Sequence, residues 1–112
     1  MPIVQADYSN LDHEEMANSI GLNSKHIPIL IASYLEESEG GLVKLQDAIE
    51  KKDYEQIKAG AHFIKGSSGN LKFNELYEMS KELEAAGHEE DAAFDYNGYF
   101  EAIKNAISTI KL

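Results

Sequence analysis

The chain has 112 residues, 43% of them hydrophobic, which is the size of one compact domain able to bury one core but not two. It contains no cysteine, which excludes disulfides and thiol catalysis and fits a reducing compartment. Twenty acidic residues face ten basic ones, all lysines, and the net charge of −10 repels a phosphate backbone, which argues against nucleic acid and anionic membranes as partners.

The N-terminus, MPIVQADYSN, lacks the basic start and apolar stretch of an export signal, and the longest apolar run, residues 27–35, is far shorter than the roughly 20 residues of a membrane span. A cytoplasmic protein is expected. The opening Met and the absence of a flanking domain point to a free-standing protein, although a piece cut from a longer chain would look the same, and a monomer is expected. A short helix over residues 12–20 comes first. In the next segment Ile27, Ile31, Tyr34, Leu42, Leu45 and Ile49 keep one helical face, with Asn23 or Ser24 supplying an N-cap oxygen, and a helix is predicted over 24–51. Gly40 and Gly41 fall in its middle and together cost about 2 kcal/mol of helix propensity, which leaves room for a kink, but the stripe runs on and one helix is expected.

Asp53 caps the following segment, in which Ile57, Ala61, Ile64, Ser68 and Leu71 advance along a single stripe. A third segment carries Phe73, Leu76, Tyr77, Ser80 and Leu83 before Gly87 stops it, and a fourth carries Tyr96, Phe100, Ile103, Ile107 and Ile110. No strand alternation, internal repeat or low-complexity tract interrupts them. Short connections between amphipathic helices favour antiparallel neighbours. The expected fold is therefore all-α: a single domain over 1–112, built as an antiparallel up-down four-helix bundle with a short N-terminal capping helix.

The second of these helices contains the stretch AHFIKGSSGNL, with three glycines in or beside it and a histidine near its middle. At about 100° per residue, His62 lies about 140° from the Ile57-Ala61-Ile64-Ser68 stripe and faces outward. Its neighbours three and four residues away are Lys58, Ala59, Lys65 and Gly66, with Gly69 one turn beyond. Gly60, Gly66 and Gly69 together cost about 3 kcal/mol of propensity, a sizeable part of the roughly 5 to 15 kcal/mol that holds a domain folded. Gly60 leans toward the core and is explained by close helix packing. Gly66 and Gly69 are expected to leave the imidazole uncovered, so that another protein can approach the ring. Lys58, Lys65 and Lys72 repeat every seven residues and form a positive strip on an acidic protein. A strip of this kind beside an outward histidine points to an anion held there, and a phosphoryl group on the ring fits best. A neutral imidazole nitrogen is a competent nucleophile near neutral pH, and phosphoryl transfer asks chiefly for positioning and charge neutralisation, which Lys65 can supply.

The segment HFIKGSSGNL resembles the phosphoacceptor motif of histidine-containing phosphotransfer (HPt) domains: His62, Ile64, Lys65, Gly66, the small pair Ser67 and Ser68, and Leu71. The resemblance extends over nearly the whole chain, including IPILIASYLEES and the start at Asp53. It departs at Lys72, where the family usually has glycine, and at Phe73, where a small residue is common. The resemblance implies a four-helix bundle, phosphorylation of His62 on its outer ring nitrogen, and docking of receiver domains around it. Members often carry a Glu or Gln on the next helix that bonds the inner ring nitrogen, a role that falls here to Glu84, with Lys81 adding positive charge one turn earlier. On this reading His62 takes a phosphoryl group from a receiver aspartate and passes it to another. Lys58, Ala59, Gly66, Gly69 and Lys81 form the docking surface, and the partners are a response-regulator receiver and a hybrid histidine kinase. The chain needs no cofactor or metal of its own, because Mg²⁺ belongs to the receiver, and with no Gly-rich nucleotide loop it does not use ATP directly.

Ser67 and Ser68 are read as small packing residues, Ser68 toward the core. His13, His26 and His88 show no i,i+4 histidine pairing, and His88-Glu89-Glu90-Asp91 is read as a charged loop rather than a metal site. Two other readings stay open: a docking module that is never phosphorylated, and a small metal-binding helical bundle.

Overall fold

The computed structural model describes residues 3–111, and the elements it contains are helical: α1 (His13–Ile20), a 3₁₀ turn (Ser24–His26), α2 (Ile27–Lys51), α3 (Tyr54–Asn70), α4 (Asn74–Glu89) and α5 (Tyr96–Ser108). Side-chain oxygens start most of them. Asp12 accepts the Glu14 and Glu15 N–H groups, Asn23 that of Lys25, Asp53 that of Gln56 and Asp95 that of Gly98, each satisfying donors that a first helical turn leaves unpaired.

The helix expected over 24–51 begins as a 3₁₀ turn and becomes α-helical only at Ile27. Pro28 is the reason: it has no N–H to give to the Ser24 carbonyl, so the i→i−4 ladder cannot reach back that far. The Gly40-Gly41 pair does not break α2, which runs through it. Gly87 does not stop α4 either, because the helix continues to Glu89 and ends where Glu90 takes a left-handed φ of 54°. Gly87 is small for another reason: a Cβ there would lie 3.1 Å from the Lys58 nitrogen and 3.2 Å from the Tyr54 carbonyl oxygen. Lys52 (φ 54°) and Lys72 (φ 62°) likewise follow α2 and α3 in the left-handed region, where glycine is the usual residue.

Contacts fix how neighbouring helices run. Tyr34 meets Ser68, Gly41 meets Phe63 and Gly60 meets Leu45, so α3 runs opposite to α2. Gly69 meets Tyr77, His62 meets Glu84 and Gly87 meets Ile57, so α4 runs opposite to α3. Helix α5 packs on both α4 and α2, and α1 lies against α2. Ile27, Ile31 and Leu45 from α2, Ile57 and Ile64 from α3, Leu76, Met79 and Leu83 from α4 and Ile103 from α5 are fully buried between these helices. The serine in the α3 stripe faces this core as expected, and its Oγ lies 2.8 Å from the Tyr34 hydroxyl, so that two buried polar groups satisfy each other.

Phe73, bulky where a small residue was anticipated, is 1% exposed. Its ring sits 4.7 Å from that of Tyr8 and 5.3 Å from that of Tyr34, distances favourable for tilted and edge-on aromatic contact. Tyr8 belongs to the extended segment before α1 and clasps the bundle at three points. Its backbone N–H donates to Thr109 Oγ1 at 2.8 Å, its hydroxyl donates to Glu75 Oε1 at 2.8 Å, and the same oxygen accepts the Leu76 N–H at 3.3 Å. Phe73, at the N-cap of α4, offers no side-chain acceptor, and the hydroxyl of Tyr8 takes that part from across the fold. Burial, reinforced by the bond to Glu75, pushes this phenol well above the ordinary tyrosine range.

Two stability predictions follow from these contacts. Tyr8→Phe keeps the ring but strips the hydroxyl from Glu75 and Leu76, and should lower the unfolding free energy by about 1 to 2 kcal/mol in urea titrations; an unchanged midpoint would mean that the clasp contributes nothing. Lys72→Gly relieves a left-handed lysine and should raise stability by about 0.5 to 1 kcal/mol in the same assay, with a loss of stability as the contrary outcome.

Candidate functional site

Helix α3 turns His62 away from the core, and the imidazole side chain is 68% exposed. The antiparallel run of α4 brings Glu84 opposite it. Glu84 Oε2 lies 2.7 Å from His62 Nδ1, and Oε1 lies 2.6 Å from Lys65 Nζ, with Glu84 and Lys65 only 18% and 24% exposed. Lys65, three residues after His62, is on the same side of α3, so one carboxylate reaches both through its two oxygens.

This reach depends on a narrow seam between α3 and α4, and glycines set its width on both sides of the site. Toward one end Gly87 lies against the backbone of Tyr54 and Lys58; toward the other, a Cβ on Gly69 would come within 3.0 Å of the Tyr77 ring. Gly69 is therefore a spacer between helices and not part of the bare surface around the imidazole as expected. At Gly66, by contrast, a Cβ would meet nothing within 4 Å.

The electrostatics follow from the contacts. Burial alone would push the Glu84 carboxyl up, but the hydrogen bonds from Lys65 and His62 outweigh it and hold the group below the ordinary glutamate range. The bond to Glu84 pushes the Lys65 ammonium up. Both groups are charged at neutral pH. An ionised carboxylate only accepts, so the imidazole must be the donor at Nδ1, and the neutral ring then carries its lone pair on Nε2, on the exposed part of the side chain. An anchored imidazole of this kind can act as a nucleophile with no further base.

The remaining candidates are placed as follows. Lys58, Ala59 and Lys81 are exposed and take no part in the His62-Glu84-Lys65 bonds. Lys72 lies beyond the end of α3 and leaves the helical row, so the expected strip of three lysines reduces to Lys58 and Lys65, the latter already paired. Ser67 is turned back onto its own helix, its hydroxyl donating to the Phe63 carbonyl at 3.0 Å. Phe63, next to the histidine, is 43% exposed and lines a cleft between α2 and α3 with Gly40, Gly41, Lys44 and Ala59. Reading the motif for small and charged neighbours passes over it; one step of about 100° from an outward histidine was the available signal. Among the described residues no cluster of three or more His, Asp or Glu side chains could hold a metal ion, and no helix is long and apolar enough to cross a membrane.

The family model of the Hpt domain matches residues 29–111, from the first turn of α2 through α5. No curated protein and no solved structure matches the chain.

The clamp has a definite pH signature. A carboxyl held below its ordinary value of 4.5 contributes stability that is fully present above that value and is lost as pH falls through the lower folded one. The stability difference between the wild type and Glu84→Gln should accordingly shrink as pH falls below about 5, as read from urea melts at a series of pH values. A difference that stays level to pH 2 would show that the carboxylate is not held by these bonds.

Proposed function

The chain belongs to the Hpt domain family, and from that premise we propose that it is a phosphorelay intermediate whose phosphoacceptor is His62. Hpt domains serve phosphotransfer in two-component signalling and interact with receiver domains and histidine kinases. The observation that carries the assignment of the residue is the exposed imidazole whose Nδ1 is anchored on Glu84, so that Nε2 is the nitrogen left outside that bond.

In the transfer, the Nε2 lone pair attacks the phosphorus of a receiver aspartyl phosphate. The N–P bond forms as the P–O bond breaks, and its electron pair stays on the departing aspartate carboxylate. The ring gains positive charge, shared with the Nδ1–H, and the Glu84 carboxylate lies where it stabilises that charge and holds the ring in line. The second transfer reverses these steps onto another receiver aspartate. Mg²⁺ is a ligand of the receiver in this scheme, and the chain is a covalent carrier with no use for ATP. Lys65 supplies positive charge beside the ring. Gly66, where the surface is bare, and the exposed Ala59, Lys58 and Lys81 form the face over which the receiver docks, while Gly69 serves that face only indirectly, by setting the helix spacing.

The same reading takes residues 1–112 as one domain in which α2 to α5 form the antiparallel up-down four-helix bundle and α1 caps it. The opposed contacts of α2 with α3 and of α3 with α4, and the packing of α5 on α2 and α4, support that arrangement. We place the protein in the cytoplasm as a monomer, alongside its receiver and a hybrid histidine kinase.

The test is to mix purified protein with a panel of phosphorylated receivers and compare wild type with His62→Gln. Acid-labile label should reach the wild type alone. Label on His62→Gln would remove His62 from the role, and no label on either protein from any receiver would favour a module that docks without being phosphorylated.

A further inference from the structure

The cation that shares Glu84 with His62 is already engaged before any phosphoryl group arrives. Lys65 Nζ sits 2.6 Å from Glu84 Oε1, while the other oxygen of the same carboxylate holds His62 Nδ1 at 2.7 Å. One carboxylate thus joins the ring to the ammonium. Lys65, three residues from His62 on the same side of α3, carries its ammonium on a flexible four-carbon stem and is 24% exposed. A phosphoryl group on Nε2 presents two negative charges where Glu84 presents one. Lys65 then has two acceptors in competition.

We propose that Glu84 and the phosphoryl group on His62 compete for the Lys65 ammonium, and that this competition shortens the lifetime of the phosphohistidine, keeping the carrier a ready donor. The proposal rests on the phosphorelay reading above and adds to it a second part for Glu84, as a positioning residue that acts through Lys65. Loss of the group to water makes the consequence measurable. A water oxygen bonds to phosphorus, the P–N bond breaks, and its electron pair returns to Nε2. The phosphate departs with both protons of the water and the ring reverts to its neutral form with hydrogen on Nδ1. In a loose transition state the transferring unit resembles metaphosphate, with one negative charge in place of two. A cation on its oxygens therefore holds the bound group more firmly than the departing one, and drawing that cation away hastens departure.

The experiment needs no receiver. Wild type, Glu84→Gln, Lys65→Met and the double variant are phosphorylated with phosphoramidate, a small donor of phosphoryl groups to histidine, and decay is followed by ³¹P NMR and intact mass. His62→Gln identifies the signal that belongs to His62. Glutamine keeps an acceptor for the Nδ1–H but not the charge that competes for Lys65. Glu84→Gln should extend the lifetime about fivefold, the upper end for an ion pair at a protein surface, and the extension should fade as salt is raised. Lys65→Met should shorten the lifetime, and in the Lys65→Met background the extension by Glu84→Gln should be absent, leaving only the effect of the lost carboxylate charge on the ring. The proposal is overturned if Glu84→Gln has the same effect with and without Lys65, which would place its whole influence in the ring, or if it has no effect in either background. If no His62-dependent signal forms at all, the phosphorelay reading fails and this one with it, a result distinct from a wild type that loads normally while the four decay rates show no coupling.

Discussion

One separation governs this molecule, that between α3 and α4. A carboxylate on one helix can meet an imidazole and an ammonium on the other only if the two backbones come close, and they do because Gly87 admits the backbone of Tyr54 and Lys58 while Gly69 admits the ring of Tyr77. Each glycine inside a helix costs about 1 kcal/mol relative to alanine. At these two positions that cost is offset by van der Waals contact along the seam and by the charge-assisted bonds that it permits. The site is thus a product of helix packing, and the surface chemistry around His62 is inseparable from the fit of side chains beneath it.

The carboxylate at the centre also accounts for the tautomer. A neutral histidine in water chooses between two nitrogens for its proton, and an ionised neighbour that can only accept removes the choice. Two bonds from basic partners keep Glu84 ionised despite its partial burial. Lys65 therefore has an indirect part in orienting the ring, by holding the acceptor in its charged form as well as contributing its own charge.

Much of this was legible in the sequence. The spacing of Ile57, Ala61, Ile64 and Ser68 placed His62 on the outside, and the bundle's stripes are where periodicity put them, from Ile27 on α2 to Ile103 on α5. What periodicity could not separate were glycines with different duties. Gly66, Gly69 and Gly87 look alike in one dimension, yet the first faces open space and the other two face a neighbouring helix, a distinction that exists only once the partner helix is present. One helix end was misjudged for a related reason: Gly87 was expected to stop α4, which runs on to Glu89 and closes at Glu90, left-handed without the residue that ordinarily marks such an end. Tyr8 left no trace in the pattern, since a lone tyrosine in a polar stretch has no period. Its hydrogen-bond partners lie 67 or more positions away along the chain.

That tyrosine has a topological consequence. By bonding Thr109 with its backbone and the first turn of α4 with its hydroxyl, it ties a residue near the end of the described chain to the start of α4 at one pole of the bundle. Leu76 and Glu84 are eight residues apart on α4, a rise of about 12 Å, so this pole stands apart from the imidazole along the bundle axis.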